Sequence, residues 1–256
     1  MEKISKAQVK LIKSLQLKKY RDELGLFVAE GEKCVEELRK AFELVLLVRD
    51  TENASRTEIE QMSSLHTPQG VIAVFRQQPA ACIQRSALVL VLDGIQDPGN
   101  LGTIIRTCDW FGVHDIVCSH DTADCYNPKV VQATMGALAR VRIHYTDIYH
   151  WINEIKNREP KTPVYGTLLD GKNMYDVLKK TPPTNADQVL SQQSNPNYLT
   201  NVIIMGNEGN GIRPNIRTLV TQPIRIPPFP KNAETSESLN VAIATAIILA
   251  EFRRPK

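Results

Sequence analysis

Three short stretches of the sequence carry side chains that donate or accept hydrogen bonds, and the first two also contain glycine. They are residues 93–107, 204–212 and 226–242. Glycine lets a backbone approach a ligand closely. Serine and asparagine at a helix start lie beside backbone N–H groups that have no partner within the helix. The three stretches therefore predict a binding site made largely of backbone and small polar groups.

Each stretch contains side chains that suit such a site. Asn100 and Arg106 lie six residues apart on the first turns of one predicted helix, from which we expect both to reach one cleft. Glu208 is the one charged residue among the three glycines of the second stretch. Ser238 and Asn240 begin a final helix that is otherwise apolar, so their donors face the same loop region.

A purely structural interpretation exists for every stretch. Asn100 could be a helix N-cap and Arg106 a partner in a surface ion pair. The glycines could form only a tight turn, and Ser236 and Ser238 could be only N-cap residues. No G-x-G-x-x-G opens a helix after the first strand and no Walker lysine occurs, which argues against a Rossmann dehydrogenase and a P-loop enzyme. Three such stretches at three strand ends favour a ligand site.

The elements that must position these residues alternate between strand and helix after residue 86. This alternation predicts an α/β domain with a mainly parallel sheet, in which ligands bind beyond the carboxyl ends of the strands. The predicted strands cover residues 87–92, 115–118, 141–145, 164–169, 202–205 and 224–226. The predicted helices cover residues 100–111, 129–139, 149–157, 214–220 and 236–253.

A smaller unit precedes this domain. Its apolar periodicity predicts helices over 3–20, 31–41 and 58–64 and strands over 43–48 and 71–75. We expect a small N-terminal α/β domain at 1–78, a linker at 79–86 and a second domain at 87–256. The polar stretch at 181–200 predicts a long loop.

The motifs resemble those of a known family. The runs D-P-G-N-L-G-T-I-I-R-T, I-I-M-G-N-E-G-N-G-I and S-L-N-V-A-I-A-T are similar to motifs one, two and three of the SpoU/TrmH methyltransferases. These are RNA ribose 2′-O-methyltransferases of the SPOUT superfamily. The N-terminal unit resembles the RNA-binding extension of this family at residues 19–33 and 67–71.

The resemblance implies an activity and a fold. Its members transfer the methyl group of S-adenosylmethionine to a ribose 2′-hydroxyl, and the extension favours ribosomal RNA over transfer RNA as the substrate. The fold of the family ends in a deep trefoil knot, which is an exception to the rule that protein chains are unknotted. Members of the family work as homodimers. A non-catalytic RNA-binding protein of ribosome assembly is the rival, but such a protein should have lost motif residues that are all present here.

The resemblance also implies roles for particular positions. The catalytic residues it implies are Asn100, Arg106, Glu208, Ser238 and Asn240. The cofactor-binding positions it implies are Thr167, Leu168, Gly206, Gly209, Ile226 and Leu239. This sequence departs from many members in the ten residues of 228–237 and in the extended loop at 181–200, so we expect a different shape of the cofactor loop there.

Charge is distributed unevenly along the chain. Residues 1–21 carry seven Lys and Arg against Glu2, a net +6, so the rest sums to −3 within a total of +3. Clustered cations release counterions from a nucleic acid, although a solvated helix face is the plainer interpretation. Because the chain resembles RNA methyltransferases, we expect this basic segment to contact RNA phosphates. The residues predicted to do so are Lys3, Lys6, Lys10, Lys13, Lys18, Lys19 and Arg21.

The cysteines and the hydropathy bear on location and metal binding. Five cysteines without C-x-x-C argue against a disulfide framework and favour a reduced, cytoplasmic location. The irregular spacing of His114, Cys118, His120 and Cys125 predicts no metal site. The longest nearly apolar run, 241–250, is shorter than the roughly 18 residues of a membrane span, so we expect no membrane partner.

Overall fold

The computed structural model of the chain describes residues 3–79, 86–179, 200–230, 236 and 238–254. The predicted linker and the predicted loop at 181–200 lie outside the described residues, except at their ends. Within the described part, no helix combines the length and the apolar character that crossing a membrane requires.

The N-terminal part forms a three-stranded antiparallel sheet with four short helices. The helices are α1 (Lys6–Ser14), α2 (Lys18–Leu24), α3 (Glu32–Leu38) and α4 (Arg56–Met62). The strands are β1 (Leu26–Glu30), β2 (Leu44–Arg49) and β3 (Val71–Arg76), in the order β1-β3-β2. The sheet packs its apolar face against α1 and α4, around the buried Ile12 and Ile59.

Capping explains where two of these helices begin. Ser5 and Gln8 form a reciprocal capping box at α1, and Ser55 and Glu58 form one at α4. The prediction of one helix over 3–20 was wrong, because α1 ends at Ser14 and α2 begins at Lys18. Strand β1 was not predicted, since all five of its residues are buried and show no alternation.

The second sheet has six parallel strands among the described residues, which confirms the predicted α/β class. Its strands are β4 (Leu88–Asp93), β5 (Asp115–Cys118), β6 (Arg142–Tyr145), β7 (Val164–Asn173), β8 (Asn201–Gly206) and β9 (Gln222–Arg225). They lie in the order β6-β5-β4-β8-β7-β9. Every residue of β4 is buried, as expected for a parallel strand covered on both faces.

Helices lie between these strands and after the last one. They are α5 (Pro98–Trp110), α6 (Pro128–Thr134), α7 (Ile148–Arg158), α8 (Met174–Leu178), α9 (Pro214–Arg217) and α10 (Val241–Phe252). A short 3-10 helix follows α6 at Ala137–Ala139, where the sequence predicted one continuous helix. The interruption has a local cause: Met135 and Gly136 both adopt positive φ, which ends an α-helix.

The chain forms two compact units whose boundaries cross the predicted domains. One contains Met1–Ala81, Asp97–Arg106 and Ala123–Arg140, and the other contains Cys82–Gln96, Thr107–Thr122 and Val141–Lys256. In the first unit α6 packs on β1. The domain boundaries at 78 and 87 therefore stay predictions.

Candidate functional site

The first and second chemical stretches follow neighbouring strands of the parallel sheet. Strands β4 and β8 pair in parallel along their whole length, and the last pair joins Asp93 to Gly206. The loops that leave the two strands therefore begin side by side at one edge of the sheet. Carboxyl edges of this kind are where open α/β sheets bind ligands.

The loop after β8, residues 207–211, is closed by its own backbone; we call it the motif-two loop. Asn207 and Gly211 exchange two backbone hydrogen bonds, at 3.0 and 2.9 Å. The Asn207 side-chain oxygen accepts from the backbone N–H of Gly209 at 2.9 Å and of Asn210 at 3.1 Å. Glu208, Gly209 and Asn210 are thereby exposed at the tip of the loop.

The glycines of this loop have different reasons to be there. A Cβ at Gly206 would collide with the backbone of Gly211 and Ile212, so this position accepts only glycine. Gly211 has φ of +66°, which favours glycine for its conformation. Gly209 has only the Asn207 oxygen near its missing Cβ, at 3.6 Å. Gly209 thus has free space where a Cβ would lie, whereas Gly206 and Gly211 shape the loop.

The Asn207 side chain joins the motif-two loop to the loop after β4. Its Nδ2 donates to the carbonyl oxygen of Gly94 at 2.7 Å. Gly94 has φ of +77°, and its own N–H donates to Ser119 Oγ at 2.9 Å. The sequence did not indicate Asn207 or Ser119, because neither contact can be read from spacing along the chain.

A buried carboxylate holds the same two loops at their base. Asp93 is buried and accepts the Arg213 backbone N–H at 2.8 Å and Arg213 Nε at 2.6 Å. Arg213 also lies 3.3 Å from Asp121. Hydrogen bonding to Asp93 raises the pKa of Arg213, while a hydrogen bond from Ser119, with help from Arg213, lowers the pKa of Asp121. This arrangement keeps the buried Asp93 paired within the protein.

Helix α5 carries the first pair of predicted catalytic residues. It is capped by Asp97, whose side chain accepts the Asn100 N–H at 2.7 Å, so Asn100 lies inside the helix and is not its N-cap. Asn100 is half-buried and Arg106 is exposed. Six residues correspond to a rotation of about 120° around a helix, so the helix alone does not direct both side chains to one cleft.

Arg106 differs from most of the arginines that the structure describes. Within the described part of the chain no carboxylate lies in ion-pair distance of it, whereas Arg49, Arg76 and Arg213 are all paired. The interpretation of Arg106 as a partner in a surface ion pair therefore finds no support there. Among the described residues no hydrogen-bond acceptor occupies this exposed guanidinium, whose planar set of N–H donors suits a phosphate.

The third stretch differs from the prediction at its helix start. Helix α10 begins at Val241 and not at residue 236, because Asn240 is its N-cap. The Asn240 side chain accepts from the N–H groups of Ala242 at 2.9 Å and Ile243 at 3.3 Å. Ser238 and Leu239 are exposed ahead of the helix, so Ser238 is no cap. Residues 231–235 and 237 lie outside the described residues.

Three further cofactor candidates lie on β7 and just after β9; Thr167 and Leu168 are the weaker two. Thr167, on β7, donates its hydroxyl to the Ile204 carbonyl at 3.0 Å and so binds β7 to β8. Leu168 is half-buried against the core of the large sheet. Ile226 is half-buried directly after β9. The roles that the resemblance implies for these three positions stay predictions.

The basic residues of the N-terminus fall into two groups, the exposed lysines and the buried Arg21. The six lysines of the prediction are exposed: Lys3 precedes α1, and Lys6, Lys10 and Lys13 recur at helical spacing along it. Lys18 pairs with Asp22 at 2.6 Å, and Lys19 lies over the ring of Tyr20.

The prediction that Arg21 contacts RNA was wrong. Arg21 is 1% exposed and donates to Asp124 from Nε at 3.0 Å and from Nη2 at 2.7 Å. Its Nη1 donates to the carbonyl oxygens of Leu15 and Gln16, both at 2.9 Å. These partners occupy the guanidinium, which therefore stabilises the fold.

The residues considered for a metal site are spread between surface and core. Cys118 and Cys125 are buried, while His114 and His120 are exposed. Across the residues that the structure describes, no group of three His, Cys, Asp or Glu is arranged to hold a metal ion.

Comparisons with known proteins agree with the sequence motifs. Residues 87–250 match the SpoU rRNA Methylase family, and residues 6–58 match the MRM3-like substrate binding domain. The chain is 29% identical, over 99% of its length and 98% of the relative, to the 23S rRNA (guanosine(2553)-2′-O)-methyltransferase RlmP of Bacillus subtilis.

Two solved structures resemble the whole chain. One, from Porphyromonas gingivalis, is assigned to the TrmH family of RNA methyltransferases; it is 34% identical with a TM-score of 0.81, over 98% of both chains. The other is the AdoMet-bound rRNA methyltransferase of Sinorhizobium meliloti, 29% identical with a TM-score of 0.80, over 99% of this chain and 97% of that one. This chain belongs to the SpoU rRNA methylase family.

Proposed function

We propose that the protein transfers the methyl group of S-adenosylmethionine to a ribose 2′-hydroxyl of ribosomal RNA. The observation that carries the proposal is the placement of the family's motif-two residues on a closed loop at the carboxyl edge of the parallel sheet, bonded to the loop after β4. The relatives named for this reaction on 23S rRNA and the match to a substrate-binding domain support ribosomal RNA. Transfer RNA is the alternative substrate.

Residues of the second and third chemical stretches fit the cofactor. S-adenosylmethionine presents a flat apolar base and polar groups, and small-molecule sites combine apolar side chains with a few placed polar groups. The exposed Leu239 and half-buried Ile226 offer apolar surface, and the exposed Gly209 leaves room for a ligand to approach the tip of the motif-two loop closely. Gly206 holds the motif-two loop in its closed shape. When bound, the cofactor supplies an electrophilic methyl group on a sulfonium.

Arg106 orients the RNA in this proposal. A guanidinium donates hydrogen bonds and stays protonated in proteins, so it suits a phosphate better than it suits the role of a base. We assign Arg106 to hold the target ribose through its phosphate, and the 2′-hydroxyl proton passes to that phosphate or to a neighbouring acceptor. Such orientation raises the rate of methyl transfer, because binding holds the ribose oxygen in line with the methyl group that it attacks.

The other motif residues support this arrangement. Asn240 fixes the start of α10, and Glu208 presents a carboxylate at the tip of the motif-two loop. We assign these two, with Asn100 and Ser238, to the polar network that places Arg106 and the cofactor loops. Replacement of Asn100 by alanine with full retention of methyl transfer would remove Asn100 from that network.

Three further features complete the proposal. We infer a homodimer and a trefoil knot in the second domain, as the family resemblance implies, and a cytoplasmic location, which the cysteine content favours. The exposed Leu239 and Ile243 at the start of α10 support an association of two copies. Sedimentation equilibrium of the purified chain tests the dimer, and a monomer at micromolar concentration contradicts it.

Cofactor binding and methyl transfer together test the proposed function. We expect S-adenosylhomocysteine to raise the melting temperature of the purified protein and NAD to leave it unchanged. We also expect tritium from labelled S-adenosylmethionine to enter 23S rRNA and not transfer RNA. Labelling of transfer RNA alone would favour the alternative substrate, and cofactor binding without labelling of any RNA would favour a non-catalytic ribosome-assembly protein.

Arg106→Lys tests the assigned role of the guanidinium. The variant keeps the charge but loses the bidentate fork, which is worth about 1–3 kcal/mol at a charged partner. We therefore expect kcat to fall about tenfold or more, with KM for S-adenosylmethionine unchanged. Arg217→Lys, an exposed arginine paired with Asp170, is the matched control. Turnover of Arg106→Lys at the wild-type rate would show that the fork is not needed.

A further inference from the structure

The Asn207 side chain uses both ends of its amide. Its oxygen accepts two backbone N–H groups of its own loop, and its nitrogen donates to the Gly94 carbonyl at 2.7 Å. We propose that Asn207 is a positioning residue that sets the distance between the motif-two loop and the loop after β4, and that S-adenosylmethionine affinity depends on this distance. The inference rests on the proposed function.

The oxygen and the nitrogen have separable tasks. The oxygen organises the motif-two loop from within, through Gly209 at 2.9 Å and Asn210 at 3.1 Å. The nitrogen donates the hydrogen bond to Gly94, which follows β4, whereas the motif-two loop follows β8. A substitution that keeps an acceptor and removes the donor therefore breaks the link between the loops and leaves the motif-two loop folded.

The Gly94 side of the link is rigid. Its positive φ and the hydrogen bond from its N–H to Ser119 at 2.9 Å fix the peptide from which the carbonyl projects. A Cβ at Gly94 would lie 3.7 Å from the Cβ of Asn207 and 3.3 Å from Asp121, so the two loops are in close contact there. A fixed acceptor at a fixed distance gives the Asn207 donor a defined target.

A second link secures the fold independently of Asn207. Arg213 bonds the buried Asp93 through its backbone N–H and its side chain, at the base of the same loops. This ion pair remains when Asn207 is changed. We therefore expect Asn207 variants to stay folded while the upper part of the two loops changes its spacing.

Asn207→Asp is the primary variant. Its carboxylate keeps one oxygen that accepts both loop N–H groups but places the other, negatively charged oxygen against the Gly94 carbonyl. Asn207→Ser is the second variant, since a hydroxyl on a shorter side chain accepts the loop N–H groups but cannot reach Gly94. Asn215→Asp is the matched control: it adds the same charge at an exposed position of α9.

Isothermal titration with S-adenosylhomocysteine and thermal unfolding without ligand give the two readouts. We expect Kd to rise about tenfold for Asn207→Asp and about fivefold for Asn207→Ser, as for loss of one well-made hydrogen bond. The melting temperature without ligand should change by less than about 3 °C. KM for S-adenosylmethionine should rise with Kd, and kcat at saturation should change less than about threefold. Asn215→Asp should bind as the wild type does.

Several results would overturn the proposal. Binding by Asn207→Asp within twofold of the wild type would do so, and so would a lower melting temperature with an unchanged Kd, which marks a purely structural residue. If Asn207→Asp does not fold, Asn207→Ser is judged by the same criteria. A wild-type protein that fails to bind S-adenosylhomocysteine contradicts the proposed function itself, and this role with it.

Discussion

At the scale of single residues, basic side chains of the N-terminus that carry the same charge differ in their structural role. Arg21 and the lysines look alike in the sequence, yet Arg21 is buried and the lysines are exposed. The difference comes from Asp124, which lies 103 positions further along the chain. A local pattern carries no information on such a partner, so the sequence alone could not separate Arg21 from its neighbours.

Arg21→Met tests this structural role. The change removes one member of a buried ion pair and leaves Asp124 unpaired, which costs about 3 kcal/mol or more of the free energy of unfolding. Urea denaturation measures this loss. RNA affinity of the folded protein should keep its dependence on salt.

Lys19→Met is the matched control, because it also replaces a cation by methionine in α2 but at an exposed position. We expect the free energy of unfolding to change by less than about 0.5 kcal/mol in this variant. Equal stability of Arg21→Met and Lys19→Met would contradict a structural role for Arg21.

The residues that link the loops of the site were also beyond prediction. The motifs indicated Gly206 and Glu208, and the structure places both at the carboxyl end of β8. Asn207 and Arg213 act through contacts with Gly94 and Asp93, which are more than a hundred positions away. Motif spacing locates a loop along the chain, whereas only the sheet order shows which loops are neighbours.

At the scale of elements, apolar runs with clear boundaries were predicted well. Strand β5 has the predicted bounds, and β4 and β8 differ from the prediction by one residue at each end. The start of α10 was placed too early, because Ser236 and Asn240 are both common cap residues. Only the hydrogen bonds from Asn240 identify the cap that is used.

Helix α1 carries the strongest prediction on RNA binding. Lys6, Lys10 and Lys13 are exposed at helical spacing, and within the described residues none of them pairs with a carboxylate. Replacing all three by glutamine should weaken RNA binding and reduce the slope of log affinity against log salt by about 2 to 3. Filter binding at several salt concentrations measures both effects.

A control triple variant separates phosphate contact from overall charge. Arg39, Lys40 and Arg76 lie in the same unit and are each paired with a glutamate. Replacing these three by glutamine removes the same charge, but we expect a slope close to that of the wild type. An equal loss of slope in both triple variants would mean that no specific surface binds the RNA.

At the scale of the whole molecule, a buried carboxylate makes stability depend on pH. Burial alone would raise the pKa of Asp115, but hydrogen bonds from His144, Arg142 and Ser86 hold it well below its usual range. A carboxyl with a depressed pKa stabilises the fold above its unfolded value of 3.8. This stabilisation is lost as the pH falls through the lower folded value.

Asp115→Asn tests this pH dependence. At pH 7 we expect the free energy of unfolding of the variant to be lower by about 2 kcal/mol, because the buried side chain loses its charged hydrogen bonds to His144, Arg142 and Ser86. The difference in free energy of unfolding between the wild type and the variant should become smaller below about pH 4, because the wild type loses the contribution of its carboxylate. Urea denaturation at pH 7, 4 and 3 measures the gap.

Asp22→Asn, at an exposed carboxylate paired only with Lys18 among the described residues, is the control. The free energy of unfolding of this variant should differ from that of the wild type by less than about 0.5 kcal/mol at every pH. A gap for Asp115→Asn that stays constant from pH 7 to pH 3 would contradict the assignment.

Mapping of ribose methylation in total RNA tests the central claim most directly. Cells with and without the gene are compared, and the deletion strain is complemented with the wild type or with Arg106→Lys. We predict that one 2′-O-methyl group of large-subunit ribosomal RNA disappears on deletion, returns fully with the wild type and returns poorly with Arg106→Lys. Identical methylation maps with and without the gene would contradict the account.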